Sequence, residues 1–423
     1  MENKIKILYS LLLAILFGLK VNASDSLITI TKYKQKQFKI QLNTNIDIAS
    51  NCFNTKLYST LFNGKYLEEN IKNQVSERSA QYNRIGYDFD TELKIQFKPK
   101  RLLKNYFKWM ELSFSDRNHI HAGFSRDALN MVLYGNSPFV GKKADLSNLT
   151  ANVLQYQQVR IGFASDTNDS LKSKFIFGLS LLNGQRNIFF NAPQFSIETD
   201  ASGYEIYTDL NYQVNHVPSS MSKFGTNNGL GFSLDIDFKE NWTLSTNKNY
   251  INQLHVSLRD IGFIQWNDKS YNVMVDTSFI YKGLNINSLK DSLISPFSSD
   301  SLKSTFYNTK QNTYSTSLPG YVLIENGLQI SQKHYAGIGI QHRTFAAYRL
   351  QYRLTYEYRF NNKSSLGLLL TKGGYNNYGL NIYSRIIINK ITQLNIGVNN
   401  FQGTLSYAKS GSIGGFLTWI YWF

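Results

Sequence analysis

The chain has 423 residues, of which 42% are hydrophobic, 14% are aromatic and only 17% are charged. A disordered chain is excluded, because disordered chains are poor in aromatic residues. A bundle of membrane-spanning helices is also excluded, because the mean hydropathy is only −0.31. The single cysteine, Cys52, cannot form an internal disulfide.

Residues 1–23 have the composition of a secretory signal peptide. Lys4 and Lys6 precede an apolar stretch from Ile7 to Leu19, and the small residue Ala23 follows. This stretch is too short for a spanning helix, which needs about 20 residues. We therefore expect cleavage after Ala23, which leaves a mature chain with a net charge of +14. An exported basic chain is expected to meet anionic lipid rather than nucleic acid.

Most of the mature chain alternates between apolar and polar residues with the period of a β-strand. Between Tyr348 and Phe360, one face is apolar or aromatic and the other carries Arg349, Arg353 and Arg359. Successive strand side chains point to opposite faces, so this segment predicts a two-faced strand. The same alternation recurs at residues 93–97, 230–238, 254–258, 378–382 and 394–398.

Such strands suit either a soluble β-sandwich, with the apolar face in the core, or an outer-membrane barrel, with the apolar face in lipid. Tyr and Trp at strand ends favour the barrel, and so does the alternation of tight and long connections. Residues 331–333, 361–365 and 389–390 read as tight turns, whereas residues 285–317 form a long polar loop. We predict an all-β fold: a transmembrane antiparallel barrel of about 14 strands over residues 81–423, with the long loop at the outer surface.

The C-terminus carries a sequence pattern of its own. Leu417, Trp419, Tyr421 and Phe423 occupy one face of a last strand, and the chain ends on the aromatic residue. Chains delivered to the barrel assembly machinery of the outer membrane share this pattern. We interpret these four residues as an assembly signal.

Residues 24–80 differ from the rest. Short strands are predicted at residues 27–30 and 38–42, and Leu57, Leu61, Leu67 and Ile71 follow a helical spacing between residues 56 and 75. The segment is open to three interpretations: a plug, a periplasmic helix, or a lid packed on the barrel.

Two histidines are candidates for a site inside the barrel. His119 and His121 share a strand face with Arg117. Two imidazoles can begin a metal site, but the local sequence offers no acidic or cysteine partner. We therefore expect polar packing in the lumen, with no metal and no cofactor. A glycine-rich stretch at residues 135–143 does not have the spacing of a phosphate-binding loop.

Five arginines are expected on or near the polar faces of the C-terminal strands. They are Arg343, Arg349, Arg353, Arg359 and Arg385. They either fill a narrow lumen as ion-pair ladders or line an electropositive path for anions. The presence of Glu357 on the same strand as three of them favours the ladder.

Three stretches carry a resemblance to a known family. They are Gly135-Asn136 with Phe139, Gly141, Leu146, Tyr156 and Gly162; Asp260 to Trp266; and Ser317-Leu318-Pro319. From about Leu42 to Phe423 the chain resembles outer-membrane barrel proteins of Bacteroidota classed as a domain of unknown function, distantly similar to the long-chain fatty-acid transporter superfamily. The resemblance implies an outer-membrane barrel and no defined activity.

Two functional hypotheses follow. The chain is either a passive channel or conduit for hydrophobic or anionic ligands, or a surface scaffold or accessory subunit whose outer loops hold a partner of a secretion or gliding apparatus. No catalytic motif is present in the sequence, so we do not expect an enzyme.

Overall fold

The computed structural model describes residues 38–99, 107–165, 174–243, 251–281, 310–345, 347–405 and 410–423. The predicted signal peptide, the predicted strand at residues 27–30 and most of the loop at 285–317 lie outside the described residues. In the described ranges, no helix is both long and apolar enough to cross a membrane.

The described residues form nineteen strands, all in one sheet. The strands are β1 (Phe38–Ser50), β2 (Tyr82–Phe97), β3 (Trp109–Ser125), β4 (Lys142–Asp145), β5 (Leu149–Ala164), β6 (Lys174–Thr199), β7 (Ile206–His216), β8 (Gly229–Thr243), β9 (Ile251–Trp266), β10 (Tyr271–Tyr281), β11 (Lys310–Gln311), β12 (Tyr314–Ser317), β13 (Tyr321–Gln329), β14 (His334–Arg343), β15 (Arg349–Arg359), β16 (Ser364–Gly374), β17 (Tyr378–Ile387), β18 (Thr392–Asn399) and β19 (Ser412–Trp422). Four α-helices accompany them: α1 (Thr55–Phe62), α2 (Glu69–Arg78), α3 (Arg126–Tyr134) and α4 (Gln402–Leu405). Two short 3₁₀ helices span Ser137–Phe139 and Ser219–Met221.

Fourteen of the strands close into an antiparallel barrel, which confirms the predicted fold class and strand number. In ring order they are β1, β2, β3, β5, β6, β8, β9 and β13 through β19. The ring closes where β1 pairs with β19 on one side and with β2 on the other. Closure leaves the barrel without an exposed edge, as a sheet in lipid requires.

The barrel begins earlier than the sequence indicated. The boundary at residue 81 is too late, because β1 contributes thirteen residues to the ring. The alternation in Phe38 to Leu42 predicts the start of this strand. The polar residues Asn43, Asn45 and Asp47 obscure its continuation, since they belong to an inward face.

The remaining strands extend the sheet beyond one end of the barrel. β6 has 26 residues, and its first part pairs with β8 inside the ring. Its second part pairs with β7, which in turn pairs with β10. The short strands β4, β11 and β12 attach to the same end. We call this part of the sheet, from Ile188 of β6 through β7 and β10, the sheet extension.

Three helices, α1, α2 and α3, lie at the same end of the barrel, opposite to both Phe38 and Phe423. The Asn54 side chain caps α1 by accepting from the Leu57 amide at 2.8 Å, and Ser125 caps α3 in the same way. Their apolar faces meet in one cluster that includes Leu57, Ile71 and Leu129. We call α1, α2 and α3 with this cluster the lid. Of the three interpretations that the sequence left open for residues 24–80, a lid packed on the barrel agrees best with this packing.

Cys52 lies inside the lid cluster. Burial raises the pKa of its thiol to about 11, so the side chain stays protonated and unreactive.

The connections at the other end of the barrel are short. β13 and β14, β15 and β16, and β17 and β18 are each joined there by four residues, at 330–333, 360–363 and 388–391. These are the turns that the sequence predicted. The chain ends beside them, where the Phe423 amide donates to the Phe38 carbonyl at 3.0 Å.

The alternating faces follow the sequence pattern in most of β15. Leu350, Tyr352, Leu354 and Tyr356 are exposed on the outer wall, where lipid would lie. The pattern fails at Tyr348. The register between β15 and β16 shifts between Arg349 and Tyr352, where β15 has one extra residue. This bulge reverses the direction in which the side chains before it point.

Tyr348 consequently points inwards, although its position in the alternation predicts an outward side chain. Its hydroxyl accepts a hydrogen bond from Gln341 Nε2 at 3.2 Å, and its ring lies edge-on to Tyr375. Arg349, at the register shift itself, is exposed, and its predicted lumen position stays a prediction.

An arginine placed on the lipid face should destabilise the barrel. Leu354→Arg puts a charge near the middle of β15 on the outer wall, and we expect a loss of about 2–4 kcal/mol in the free energy of unfolding. Leu405→Arg, on the exposed α4, is the matched control and should change stability by less than about 0.5 kcal/mol. Urea unfolding in lipid vesicles measures both; equal losses would place Leu354 away from lipid.

Deletion of Phe423 should lower the yield of folded barrel. The residue supplies the last hydrogen bond of the β1–β19 seam, and its ring packs edge-on against Tyr421 at 4.8 Å. Phe360→Ala, at an exposed aromatic residue beside another turn of the same end, should leave the yield unchanged. Gel mobility with and without heating measures folded protein. An unchanged yield of folded protein after the deletion would contradict an assembly role for the C-terminus.

Candidate functional site

Two neighbouring strands bring three ionisable side chains together inside the barrel. β2 and β3 pair with Asp88 opposite His119 and Gly86 opposite His121, so Asp88 and both imidazoles share the inward face. Asp88 Oδ1 lies 2.6 Å from His119 Nδ1 and 3.8 Å from His121 Nε2. All three side chains are buried. We call them the Asp88 cluster.

An ion pair joins this cluster to the opposite wall. Arg343 Nη1 donates to Asp88 Oδ2 at 2.7 Å. Arg343 ends β14, and six strands separate β14 from β2 in either direction around the ring. The contact therefore crosses the lumen along its diameter. We call the Asp88–Arg343 pair the lumen brace.

Further contacts cross the lumen next to the lid. Arg84 Nε donates to the Gly374 carbonyl at 2.7 Å, which ties β2 to the end of β16. The Tyr375 hydroxyl hydrogen-bonds His121 Nδ1. The Tyr375 ring lies directly on Gly86, where a Cβ atom would be 2.2 Å from the ring, so only glycine fits under it.

A second polar network fills the lumen between β3, β5, β8 and β9. Gln158 Nε2 donates to Ser233 Oγ at 3.2 Å and to Asp260 Oδ1 at 3.0 Å. Arg160 binds the carboxylates of both Glu111 and Asp235. Buried charges cost free energy unless they are paired, so these contacts keep the interior stable while they occupy its space.

The C-terminal arginines form ion pairs with glutamates on the inward faces. Arg353 Nε lies 3.5 Å from Glu325 Oε2. Arg359 Nε and Arg385 Nη2 approach the same oxygen of Glu357, at 3.3 and 3.2 Å. These contacts form an ion-pair ladder of the kind that Glu357 in the sequence favoured. They lower the positive potential that a path for anions would need.

A cavity of about 290 Å³ lies between the lumen brace and the sheet extension. This volume is near the lower end for ligand sites, which run from about 300 to 1,000 Å³. Its lining mixes two aromatic rings with amide and hydroxyl groups: Phe189, Phe345, Asn152, Asn215, Ser315 and Thr316. His121 and Thr344 also line it, so the cavity touches both sides of the brace. We call it the lid-end cavity.

A larger hollow, of about 430 Å³, lies on the outer wall beside the irregular start of β15. Its lining includes the outward-facing Tyr352, Leu354, Leu370 and Tyr378. Lipid chains would fill such a hollow in a membrane, so we do not regard it as the functional site.

The sequence predicts some of this site and misses other parts. His119, His121 and Arg343 come together, whereas Arg353, Arg359 and Arg385 form a separate group. Asp88, Arg84 and Tyr375 were not singled out. The alternation of Asp88 and Asp90 in β2 marks them as inward-facing, but only the register with β3 shows which side chains they meet.

Comparisons with known proteins give a family and a set of distant structural similarities. A family model, described as a family of unknown function (DUF5723), matches residues 32–389. No curated protein matches the chain.

Among the solved structures similar to the chain are channel proteins and an autotransporter translocator domain. A mutant of the TodX monoaromatic hydrocarbon channel has a TM-score of 0.45 at 7% identity, over 93% of this chain and 92% of its own. The toluene transporter TodX of P. putida has a TM-score of 0.40, with the same identity and coverage. The translocator domain of the autotransporter NalP from Neisseria meningitidis has a TM-score of 0.33 at 9% identity, over 99% of this chain and 95% of its own.

Loss of the lumen brace should destabilise the barrel. Arg343→Met leaves Asp88 buried without its cation, and we expect a loss of about 3 kcal/mol, the lower end of the range for broken buried pairs. Adding Asp88→Asn should restore part of it, because the uncompensated charge is then gone.

Arg259→Met is the matched control. The Arg259 side chain is 57% exposed and lies 3.5 Å from Asp237, so its removal should cost less than about 1 kcal/mol. Urea unfolding measures all four proteins. A loss for Arg343→Met no greater than for Arg259→Met would show that the brace does not hold the barrel closed.

Proposed function

The chain belongs to the DUF5723 family of unknown function, and we propose that it is an outer-membrane conduit for a small ligand, closed by its own side chains until the ligand binds. The closed ring and its apolar outer face show that the protein is a barrel of the outer-membrane type. The conduit is the proposal.

One observation carries the proposal: the lid-end cavity shares its lining with the lumen brace. His121 belongs to the Asp88 cluster and lines the cavity, and Thr344 follows Arg343 and lines it too. A ligand in the cavity would touch neighbours of both brace partners. Binding energy that favours separated partners would shift the barrel from closed to open.

The cavity chemistry indicates the class of ligand. The rings of Phe189 and Phe345 suit an apolar body, while Asn152, Asn215 and Thr316 suit a polar group at one end. Arg343 adds a positive charge close by. We propose a small amphipathic molecule with an acidic or hydroxyl group, such as a phenol or a short monocarboxylate.

The proposal also assigns an orientation. Signal-peptide cleavage after Ala23 would deliver the chain to the periplasm, and the barrel assembly machinery would insert it using the strand that ends at Phe423. Short turns of such barrels face the periplasm. The lid, the lid-end cavity and the loop at 285–317 would then face outwards.

A second function, a surface scaffold, is favoured by the sheet extension. β7 and β10 pair outside the ring of fourteen strands and add nothing to its closure. They offer a surface on which a protein partner of a secretion or gliding apparatus would dock at the outer face.

Conductance separates a gated conduit from a scaffold. In planar bilayers the native protein should conduct little, and Asp88→Asn combined with Arg343→Met should conduct more, because the ion pair that crosses the lumen along its diameter is then gone. Arg259→Met should behave like the native protein. In liposomes, swelling with phenols or short monocarboxylates should exceed swelling with sugars of similar size.

Two results would contradict the proposal. A large steady conductance of the native protein would rule out the closed state. The second result is that neither the native protein nor the double variant conducts or takes up ligand, although gel shift shows that both are folded. This result would contradict the conduit function and favour the scaffold function.

A further inference from the structure

We propose that Asp88, His119 and His121 bind a divalent transition-metal ion, with zinc the best match to the donor set. The proposal is independent of conduction. The sequence alone did not predict a metal, because the carboxylate that faces the two histidines comes from a different strand. β2 supplies the missing carboxylate through the β2–β3 register.

The donor atoms are already close together. One ligand atom from each side chain lies within 4.8 Å of the other two. In a tetrahedral zinc site with bonds of about 2.0–2.2 Å, neighbouring ligand atoms are about 3.3 Å apart. Small side-chain rotations therefore suffice to bring Asp88 Oδ1, His119 Nδ1 and His121 Nε2 around one ion.

An unpaired atom points to a ligand. His121 Nε2 is buried and makes no hydrogen bond within the part of the chain that the structure describes. A buried polar atom without a partner costs free energy, so such an atom requires an explanation. Metal ligation accounts for this nitrogen, since it faces Asp88 Oδ1 at 3.8 Å.

Two of the three atoms that would not bind the ion have hydrogen-bonding partners. Asp88 Oδ2 accepts from Arg343, and His121 Nδ1 is hydrogen-bonded to the Tyr375 hydroxyl. His119 Nε2 lies 3.8 Å from Asp90 Oδ1. Ligating histidines and carboxylates in metal sites are commonly oriented by partners of this kind.

The surrounding charge also permits a cation. Arg343 and Arg117 are near, but Asp88 and Asp90 balance them, and Asp90 Oδ2 lies 3.6 Å from Arg117 Nη1. An added divalent ion therefore does not enter a region of uncompensated positive charge.

Three protein ligands leave a coordination position open. His121 lines the lid-end cavity, so a water molecule or the polar group of a small ligand can reach the ion from there. Two imidazoles with one carboxylate and a water form a donor set found in zinc sites, and the same three side chains also suit iron(II).

Metal content tests the proposal directly. The full chain, purified without a polyhistidine tag and carrying Cys52→Ser to remove the thiol, is stripped with a chelator and dialysed against dilute Zn²⁺. We expect one ion per folded chain by elemental analysis. With Co²⁺, we expect the visible absorption of a four-coordinate ion.

Variants locate the site. His119→Gln with His121→Gln should abolish binding, and Tyr375→Phe should weaken it about 10-fold, as expected for loss of an outer partner. His255→Gln is the matched control, because His255 Nε2 lies 3.1 Å from Asp237 in another histidine–carboxylate pair. It should keep the ion.

Gel shift on heating establishes that each variant is folded. Asp88→Asn, which preserves the shape of the side chain, serves as a second ligand variant if the double histidine variant does not fold. A native protein that holds no more zinc than the ligand variants would overturn the proposal. Equal loss in His255→Gln would also overturn it, since the ion would then bind elsewhere.

Discussion

The structure depends on one constraint: a sheet in lipid must pair all of its backbone groups within itself. Closure between β1 and β19 meets this requirement, and the alternation of side chains then sends every second residue inwards. Charged residues on that inward face cannot all reach water in so narrow a ring. They pair instead, as Asp88 does with Arg343 and as Glu111 and Asp235 do with Arg160.

The fold was largely predictable because the two-residue period of a strand is visible in the sequence. It indicated the architecture, the strand number and the face of residues such as Leu354. The two-residue period gave the wrong direction for the Tyr348 side chain, because one extra residue in β15 reverses the alternation there. The local sequence pattern does not reveal such a bulge. It also failed to reveal the full length of β1, whose inward residues are polar and whose partners lie at both ends of the chain.

The candidate site was less predictable for the same physical reason. The facing of His119 can be derived from its neighbours in sequence, but its partner Asp88 lies 31 residues away. Arg343 is 255 residues from Asp88, and the two meet only because fourteen strands place β2 and β14 on opposite walls. Such contacts depend on the register of every strand between them. Composition and spacing therefore identify the inward residues but not their pairing.

The length of β6 has a consequence for how far the protein projects from a membrane. Its 26 residues correspond to about 85 Å of strand at about 3.3 Å per residue. Even with a tilt of about 40°, this exceeds the total thickness of a bilayer with its headgroups, about 40–45 Å. Part of the strand, stiffened by its pairing with β7, must stand clear of the membrane at one side. If that side is the cell exterior, antibodies and phages would contact the sheet extension before they reached the mouth of the barrel.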